Sequence, residues 1–349
     1  MRSMLREHDP DDAPPDDAGI FGFDFSVEES QLVLLPVPWD VTTSYRPGTA
    51  AGPEAIKKAS HQLDLWDVDL GEVWRSGITM VQAPEWVREA NRTLRVDAEQ
   101  VIAVGGNIAG KPELVEALAR VNDGGARLNK WVYDTAGEHL QAGRLVGIVG
   151  GDHSVPFGAI QRAAEHHGEI GVLHVDAHAD LRDAYEGFAW SHASIMRNVV
   201  DRIPQVKRLV QVGIRDVSRG EIDFVATTAD RISVHFDQRI QERRLDGDTW
   251  STIATGIIEQ LPPKIWISFD IDGLDPRLCP NTGTPVPGGL GFPEALALIK
   301  RAAQHSQIIG FDLTEVAPGP DGDEWDGNVG ARILYKLCGW ALHTRTASR

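Results

Sequence analysis

The chain has 349 residues, with 34 lysines and arginines against 51 aspartates and glutamates, so its formal net charge is −17. This acidity argues against nucleic acid as a partner, because phosphate binding needs a basic surface, and it suits a cationic substrate. With two cysteines, no apolar run near the roughly 20 residues of a membrane span and no apolar N-terminal core, we expect a cytoplasmic protein without a disulfide framework and without membrane binding.

The N-terminal segment is acidic and rich in proline, and the rest of the chain has a globular composition. Residues 9–17 consist only of Asp, Pro and Ala, and proline combined with like charge opposes a packed core. We therefore predict a disordered arm over residues 1–25. Because no repeat or second linker follows, we predict one domain over residues 26–349.

Short β-branched runs alternate with helical patterns along that domain. Strands are predicted at residues 32–36, 101–104, 145–149, 170–175, 208–212, 232–236, 265–271 and 308–313. Helices are predicted at residues 53–63, 112–121, 157–167, 193–201, 249–260 and 293–305. This alternation predicts a single-domain α/β fold of three layers, α/β/α, around a parallel, mostly eight-stranded sheet, whose functional site lies at the carboxyl ends of the strands.

Three runs rich in acids follow predicted strands: Gly-Gly-Asp-His-Ser at 150–154, Asp-Ala-His-Ala-Asp at 176–180 and Asp-Ile-Asp-Gly-Leu-Asp-Pro at 270–276. Alternate side chains of an extended segment point to one side, which is the spacing of metal ligands. The candidate ligands are His153, Asp176, His178, Asp180, Asp270 and Asp272. Carboxylates and imidazoles without thiolate suit two divalent ions, Mn²⁺ first and Ni²⁺, Co²⁺ or Fe²⁺ as alternatives, and such a pair can activate water for hydrolysis.

In this order, the three runs resemble the signature segments of the ureohydrolase family, which contains arginases and agmatinases. The resemblance extends over about residues 32–337, including Thr-Ser-Tyr-Arg-Pro-Gly at 43–48 and Thr-Glu-Val-Ala-Pro at 314–318. It implies an arginase-like fold and hydrolysis of a guanidino compound to urea and an amine. It further implies one ion on His153, Asp176, Asp180 and Asp270, and a second on Asp176, His178, Asp270 and Asp272.

The resemblance also implies three catalytic roles. Glu315 matches the carboxylate that binds the guanidinium group, and Ala317 departs from the Asn that the family often has beside it. His192 matches the proton-shuttling histidine of the family. Its position in the sequence, taken without the resemblance, fits a structural role equally well. Asp180 is expected to orient the attacking water through its second oxygen.

The loop after the second run bears on the substrate. It resembles agmatinases more than arginases, and its residues Arg182, Asp183, Tyr185, Glu186 and Phe188 are either pocket residues or ordinary loop contacts. We expect a small cationic guanidino substrate, agmatine first, with guanidinobutyrate, guanidine and formiminoglutamate as alternatives within the family. The resemblance also implies a homotrimer or homohexamer.

Two alternatives come from other classes. A zinc deacetylase of related architecture needs a single-metal set, whereas His153 and the pair Asp270 and Asp272 favour two ions. A non-catalytic subunit is disfavoured because all six ligand positions are filled. The glycine-rich segment 105–111 is an incomplete phosphate-binding loop, because Pro112 replaces the hydroxyl residue that such a loop needs.

Overall fold

A computed structural model of the chain describes residue 10 and residues 13–15, 17–228 and 231–347. In this part of the chain, eight strands form one sheet in which every pair of neighbours is parallel. Their bounds are β1 Leu32–Val37, β2 Ile78–Met80, β3 Leu145–Gly150, β4 Ile170–Val175, β5 Val206–Ile214, β6 Ile232–Phe236, β7 Lys264–Asp270 and β8 Gln307–Thr314. The order across the sheet is β2-β1-β3-β8-β7-β4-β5-β6.

Helices cover both faces of this sheet. Their bounds are α1 Gly52–Ser60, α2 Glu85–Ile102, α3 Pro112–Gln141, α4 Phe157–His167, α5 Ile195–Arg202, α6 Arg219–Thr227, α7 Asp237–Leu245, α8 Trp250–Ile258, α9 Phe292–His305 and α10 Trp325–Ala347. Helices α1, α10, α9 and α8 pack in succession on one face, and α2 to α5 pack on the other. The predicted three-layer α/β fold with a parallel eight-stranded sheet is confirmed.

Each face of the sheet has its own hydrophobic core, and the alternation along β1 shows why. Leu32 and Leu34 are buried in the core beneath α1 and α10, whereas Val33 and Leu35 are buried in the core beneath α2 and α3. Each fully buried aliphatic side chain contributes roughly 1.5–3 kcal/mol. A strand buried on both faces therefore appears in the sequence as a continuous apolar run.

One predicted strand is wrong and one strand was missed. Residues 101–104 were predicted as a strand, but they form the C-terminal end of α2 and the turn after it. The short apolar run belongs to a helix whose buried Val87, Ala98 and Val101 lie on one face. The missed strand, β2, has only three residues and lies at the edge of the sheet.

The packed part of the chain begins before residue 26, where the arm was expected to end. Ile20 and Phe21 are buried in the core, and the ring of Phe23 stacks on that of Trp74 with centroids 4.6 Å apart. These aromatic contacts hold residues 20–23 against the domain. Residues 1–9, 11, 12 and 16 of the expected arm lie outside the described residues.

The topology brings four strand ends together. Strands β3, β8, β7 and β4 are consecutive neighbours at the centre of the sheet, and their carboxyl ends carry all six candidate ligands and Glu315. Both cysteines are buried and free, which agrees with the expected lack of disulfides. Over the described ranges, no helix combines the length and the apolar character needed to cross a membrane.

Candidate metal centre and active site

His153 reaches the site because the chain folds back tightly after β3. A Cβ atom on Gly151 would lie 2.0 Å from the carbonyl oxygen of Trp39, so only glycine fits there. The His153 side chain is buried, and its Nδ1 lies 3.0 Å from Asp176 Oδ2 and 3.3 Å from Asp180 Oδ2. Asp270 Oδ2 lies 3.3 Å from the same nitrogen. Three carboxylates from two other strand ends thus converge on one imidazole nitrogen.

A second group of donors adjoins the first through Asp176. His178 Nδ1 lies 3.1 Å from Asp272 Oδ2 and 3.4 Å from Asp176 Oδ1. These three donor atoms lie within 4.8 Å of one another. Asp176 therefore offers one oxygen to each group, as a bridging ligand does. Asp270, which was expected in both sets, lies beside the first group, and its Oδ1 accepts the backbone N–H of Asp272 at 2.8 Å.

The cluster carries more negative charge than its own neighbours balance. Burial, followed by repulsion from Asp272 and Asp176, raises the pKa of Asp270 well above its usual range. Burial, followed by repulsion from Asp176, raises the pKa of Asp180 to about 6. Within the described ranges, no lysine or arginine forms an ion pair with these carboxylates. Four carboxylates and two imidazoles, with no thiolate, fit two divalent cations in charge and in donor chemistry.

A buried chain of hydrogen bonds fixes the ring of His153. His153 Nε2 lies 2.8 Å from Ser268 Oγ, and Ser268 Oγ donates to Asp312 Oδ1 at 2.8 Å. The indole Nε1 of Trp266 donates to the other oxygen of Asp312 at 2.5 Å. Because the Ser268 proton goes to Asp312, His153 Nε2 donates to Ser268. This tautomer leaves Nδ1 with a lone pair for a metal ion.

Glu315 follows β8 in a strained backbone conformation beside the first donor group. Its φ is +62°, and its N–H donates to the Gly151 carbonyl at 2.8 Å. The side chain is buried, and Oε1 accepts the backbone N–H of His153 at 2.9 Å. Burial, followed by the charge of Asp152, raises the pKa of Glu315 well above its usual range. A left-handed conformation costs roughly 1–2 kcal/mol in a non-glycine residue, which the fold offsets to keep this carboxylate in place.

A cavity of about 160 Å³ opens over the two donor groups. His153, His178, Asp180, Asp270 and Glu315 line its floor, and its remaining wall includes His192, Arg182, Tyr185, Asp216, Glu221, Ser44 and Thr284. His192 Nδ1 has no hydrogen-bond partner among the described residues. Burial, followed by the nearby charges of His178 and His153, lowers the pKa of His192 to about 4. His192 is therefore neutral near pH 7 and can accept a proton.

The structure divides the five loop residues predicted for the outer pocket, of which Phe188 is buried in the hydrophobic core. Arg182 and Tyr185 line the main cavity, where the guanidinium carbon of Arg182 lies 4.8 Å from the ring centroid of Tyr185. Asp183 and Glu186 lie outside that cavity. They line an adjacent one, which shares Arg182, Tyr185 and Glu221 with the first.

Two acids of the cavity wall were not predicted from the sequence. Asp216 comes two residues after β5, so the rule that found the other acids at strand ends applies to it too. Glu221 lies in the first turn of α6, where its carboxylate accepts Ser218 N–H and Leu181 N–H. A helix-capping glutamate gives no functional signal in the sequence, because it has a complete structural explanation.

Comparisons with known proteins agree with this geometry. The model of the Arginase family matches residues 30–339. The chain is 32% identical over 318 residues to N(1)-aminopropylagmatine ureohydrolase of Thermus thermophilus, covering 90% of this chain and 92% of that protein. It is 29% identical over 310 residues to guanidinobutyrase of Pseudomonas aeruginosa, covering 87% and 84%.

Solved structures give the same fold. The agmatine ureohydrolase of Thermoplasma volcanium superposes with a TM-score of 0.70 at 22% identity, covering 93% of this chain and 94% of that one. Proclavaminate amidino hydrolase of Streptomyces clavuligerus also gives 0.70, at 23% identity with 95% and 99% covered. The family that the three acidic runs indicated is confirmed. The chain belongs to the arginase family and is an agmatinase-like ureohydrolase, a hydrolase that acts on carbon–nitrogen bonds.

Proposed function

We propose that this enzyme hydrolyses a linear guanidino compound that ends in an amine, releasing urea and a second amine. Agmatine and its N1-aminopropyl derivative are the first candidates. The observation that carries the proposal is the pair of donor groups joined by Asp176, with the buried Glu315 carboxylate at their edge. Burial favours the neutral form of Glu315, but a bound guanidinium cation would favour the ionised form, whose two oxygens offer the planar group two parallel hydrogen bonds.

The metal ions would be held by the six residues named from the sequence. His153, Asp176, Asp180 and Asp270 would form one set, and Asp176, His178 and Asp272 would form the other, with Asp270 as the second bridge that the family resemblance implies. Two divalent ions in these sets supply Lewis acidity and lower the pKa of water, so that water becomes a nucleophile near neutral pH. The preponderance of carboxylate oxygens supports Mn²⁺ before Ni²⁺.

The remaining residues of the cavity would bind, orient and move protons. Glu315 holds the guanidinium with its oxygens, of which Oε1 is already anchored by His153 N–H. Asp180, also in a left-handed conformation with φ of +54°, orients the attacking water with the oxygen not used as a ligand. His192, neutral and without a partner at Nδ1, would accept the proton that the attacking water loses and pass it to the departing amine.

The cavity wall supports a cationic tail. The carboxylate of Asp216 makes no hydrogen bond or ion pair with any described residue, and it lies at the exposed side of the cavity. An unpaired carboxylate there attracts an ammonium group. The adjacent cavity, with Asp183 and Glu186, gives space for a longer tail such as the aminopropyl group. Among the described residues that line the main cavity, Arg182 is the one lysine or arginine, and its charge makes guanidinobutyrate the second candidate.

A substrate panel tests the proposal. Full-length protein loaded with Mn²⁺, and separately with Ni²⁺, is assayed for urea release from agmatine, N1-aminopropylagmatine, guanidinobutyrate, formiminoglutamate and guanidine. We expect the highest kcat/KM for one of the two amine-tailed compounds. A preference for guanidinobutyrate would contradict the assignment of the tail. Release of acetate from acetylated amines without urea would support the single-metal deacetylase instead.

Two further expectations remain predictions. The family resemblance implies a homotrimer or homohexamer, which light scattering of the purified protein decides. A cytoplasmic location follows from the sequence expectations and is tested by fractionating the cells that make the protein.

A further inference from the structure

A buried histidine inside β4 touches the bridging carboxylate. His174 is fully buried, and its Nε2 lies 2.8 Å from Asp176 Oδ2. On distance alone, His174 groups with His153, Asp176 and Asp180 as a fourth possible metal ligand. Whether it binds metal or holds Asp176 depends on which ring nitrogen carries the proton.

Gln211, on the neighbouring strand β5, determines that tautomer. Its register partner in the sheet is His174, and its amide nitrogen lies 2.9 Å from His174 Nδ1. The same amide nitrogen lies 2.7 Å from the backbone carbonyl of Ala179. A carbonyl only accepts hydrogen bonds, so the amide atom facing it has to be the nitrogen. The reversed amide would place two acceptors against each other.

The amide nitrogen has two protons, and the second is directed at His174 Nδ1. Nδ1 is therefore the acceptor, the ring proton is on Nε2, and Nε2–H donates to Asp176 Oδ2. A protonated ring nitrogen has no lone pair for a metal ion. The amide oxygen of Gln211 is buried without a hydrogen-bond partner among the described residues, whereas the nitrogen faces two acceptors.

We propose that Gln211 is a positioning residue of the metal centre: it locks His174 in the Nε2–H tautomer, so that His174 orients the bridging carboxylate Asp176 and does not compete as a ligand. This inference rests on the two-metal site of the proposed function. The residue that fixes the orientation of Asp176 through His174 would then lie on β5, a strand that carries none of the six ligands. Groups that hydrogen-bond directly to a metal ligand, as His174 does to Asp176, typically change metal affinity by about 10- to 100-fold when they are mutated, and Gln211 would act through His174.

The chain offers a matched control. Gln260 forms a similar glutamine–histidine pair, with its amide nitrogen 3.1 Å from His235 Nε2, outside the metal centre. Gln211→Met and Gln260→Met each remove an amide of similar length. Each full-length variant is loaded with Mn²⁺ and titrated with a competing chelator, and the metal retained per chain is counted by mass spectrometry.

We expect Gln211→Met to bind both ions about 10-fold or more weakly, because Asp176 serves both donor groups, and Gln260→Met to bind them as the wild type does. Wild-type affinity in Gln211→Met, or an equal loss in Gln260→Met, would overturn the proposal.

The tautomer is measured independently of any variant. In ¹⁵N-histidine-labelled, Zn²⁺-loaded wild-type protein, the shifts of His174 should show an unprotonated Nδ1 and a protonated Nε2. A protonated Nδ1 would contradict the mechanism even if Gln211→Met failed to fold. Neither measurement uses a substrate, so a chain that releases no urea from any guanidino compound refutes the proposed function and leaves the role of Gln211 decided by these data.

Discussion

Replacing Glu315 by glutamine tests the recognition of the guanidinium group. Glu315 Oε1 accepts the backbone N–H of His153, so the glutamine oxygen has to occupy the same place and its NH₂ group turns towards the cavity. The substrate then meets two donor protons where it met a carboxylate oxygen. Hydrogen bonds to charged groups contribute about 1.5–3 kcal/mol each, and losing one while adding a repulsive contact costs about 3–4 kcal/mol.

That cost corresponds to a decrease in kcat/KM of about 10²- to 10³-fold for urea release. The assay uses Mn²⁺-loaded protein. The metal content and the melting temperature of the variant are measured as well, and we expect neither of them to fall. Asp326→Asn is the matched control, since Asp326 is a buried carboxylate that binds Asn281 and does not line the cavity. If kcat/KM of Glu315→Gln lies within about threefold of the wild-type value, the lost binding energy is less than about 1 kcal/mol, and the guanidinium-binding role is refuted.

Four other outcomes are expected. Asp272→Ala removes one of three donors from the second group, so metal counting should show about one ion per chain instead of two, with urea release reduced by at least about 10²-fold. Asp216→Asn should raise KM for agmatine by up to about fivefold and leave KM for guanidinobutyrate unchanged, in keeping with about 0.2–1 kcal/mol for an exposed charge contact. Because the folded-state pKa of His192 is about 4 and the unfolded one is near 6.5, the unfolded chain binds more protons between these values. The free energy of unfolding should thus fall as pH decreases through this window, by up to about 1.4 kcal/mol per pH unit from His192, and His192→Asn should remove this part of the slope in denaturant titrations. Chelator treatment should lower the melting temperature, and Mn²⁺ should restore it, because ions that bind only the folded state stabilise it.

The sequence predicted the central sheet well because burial on both faces leaves a local pattern. Seven of the strands coincide with continuous β-branched runs such as those of β4 and β7. The run at 101–104 looked the same but ends a helix, and four residues are too few to separate a helical period from a strand. Strand β2, with three residues at the sheet edge, buries too little to leave a pattern.

The ligands of the candidate metal centre were found from the sequence because they follow strands in alternating order. The tautomer-setting contacts were not, since Gln211 and Ser268 are single polar residues within apolar strands and their meaning depends on strand order. Strand β4 lies between β5 and β7, and this arrangement brings Gln211 to His174. The order of strands in the sheet determines such contacts between residues that are far apart in the sequence. The local spacing of residues does not reveal that order.

The central claim is that two metal ions and Glu315 together hydrolyse a guanidino compound. The most direct test measures urea and bound metal in the same Mn²⁺-loaded sample with agmatine and N1-aminopropylagmatine. We predict two ions per chain and one urea for each amine released. A sample that holds two ions per chain and releases no urea from either compound, or from the other guanidino compounds of the panel, would contradict the account.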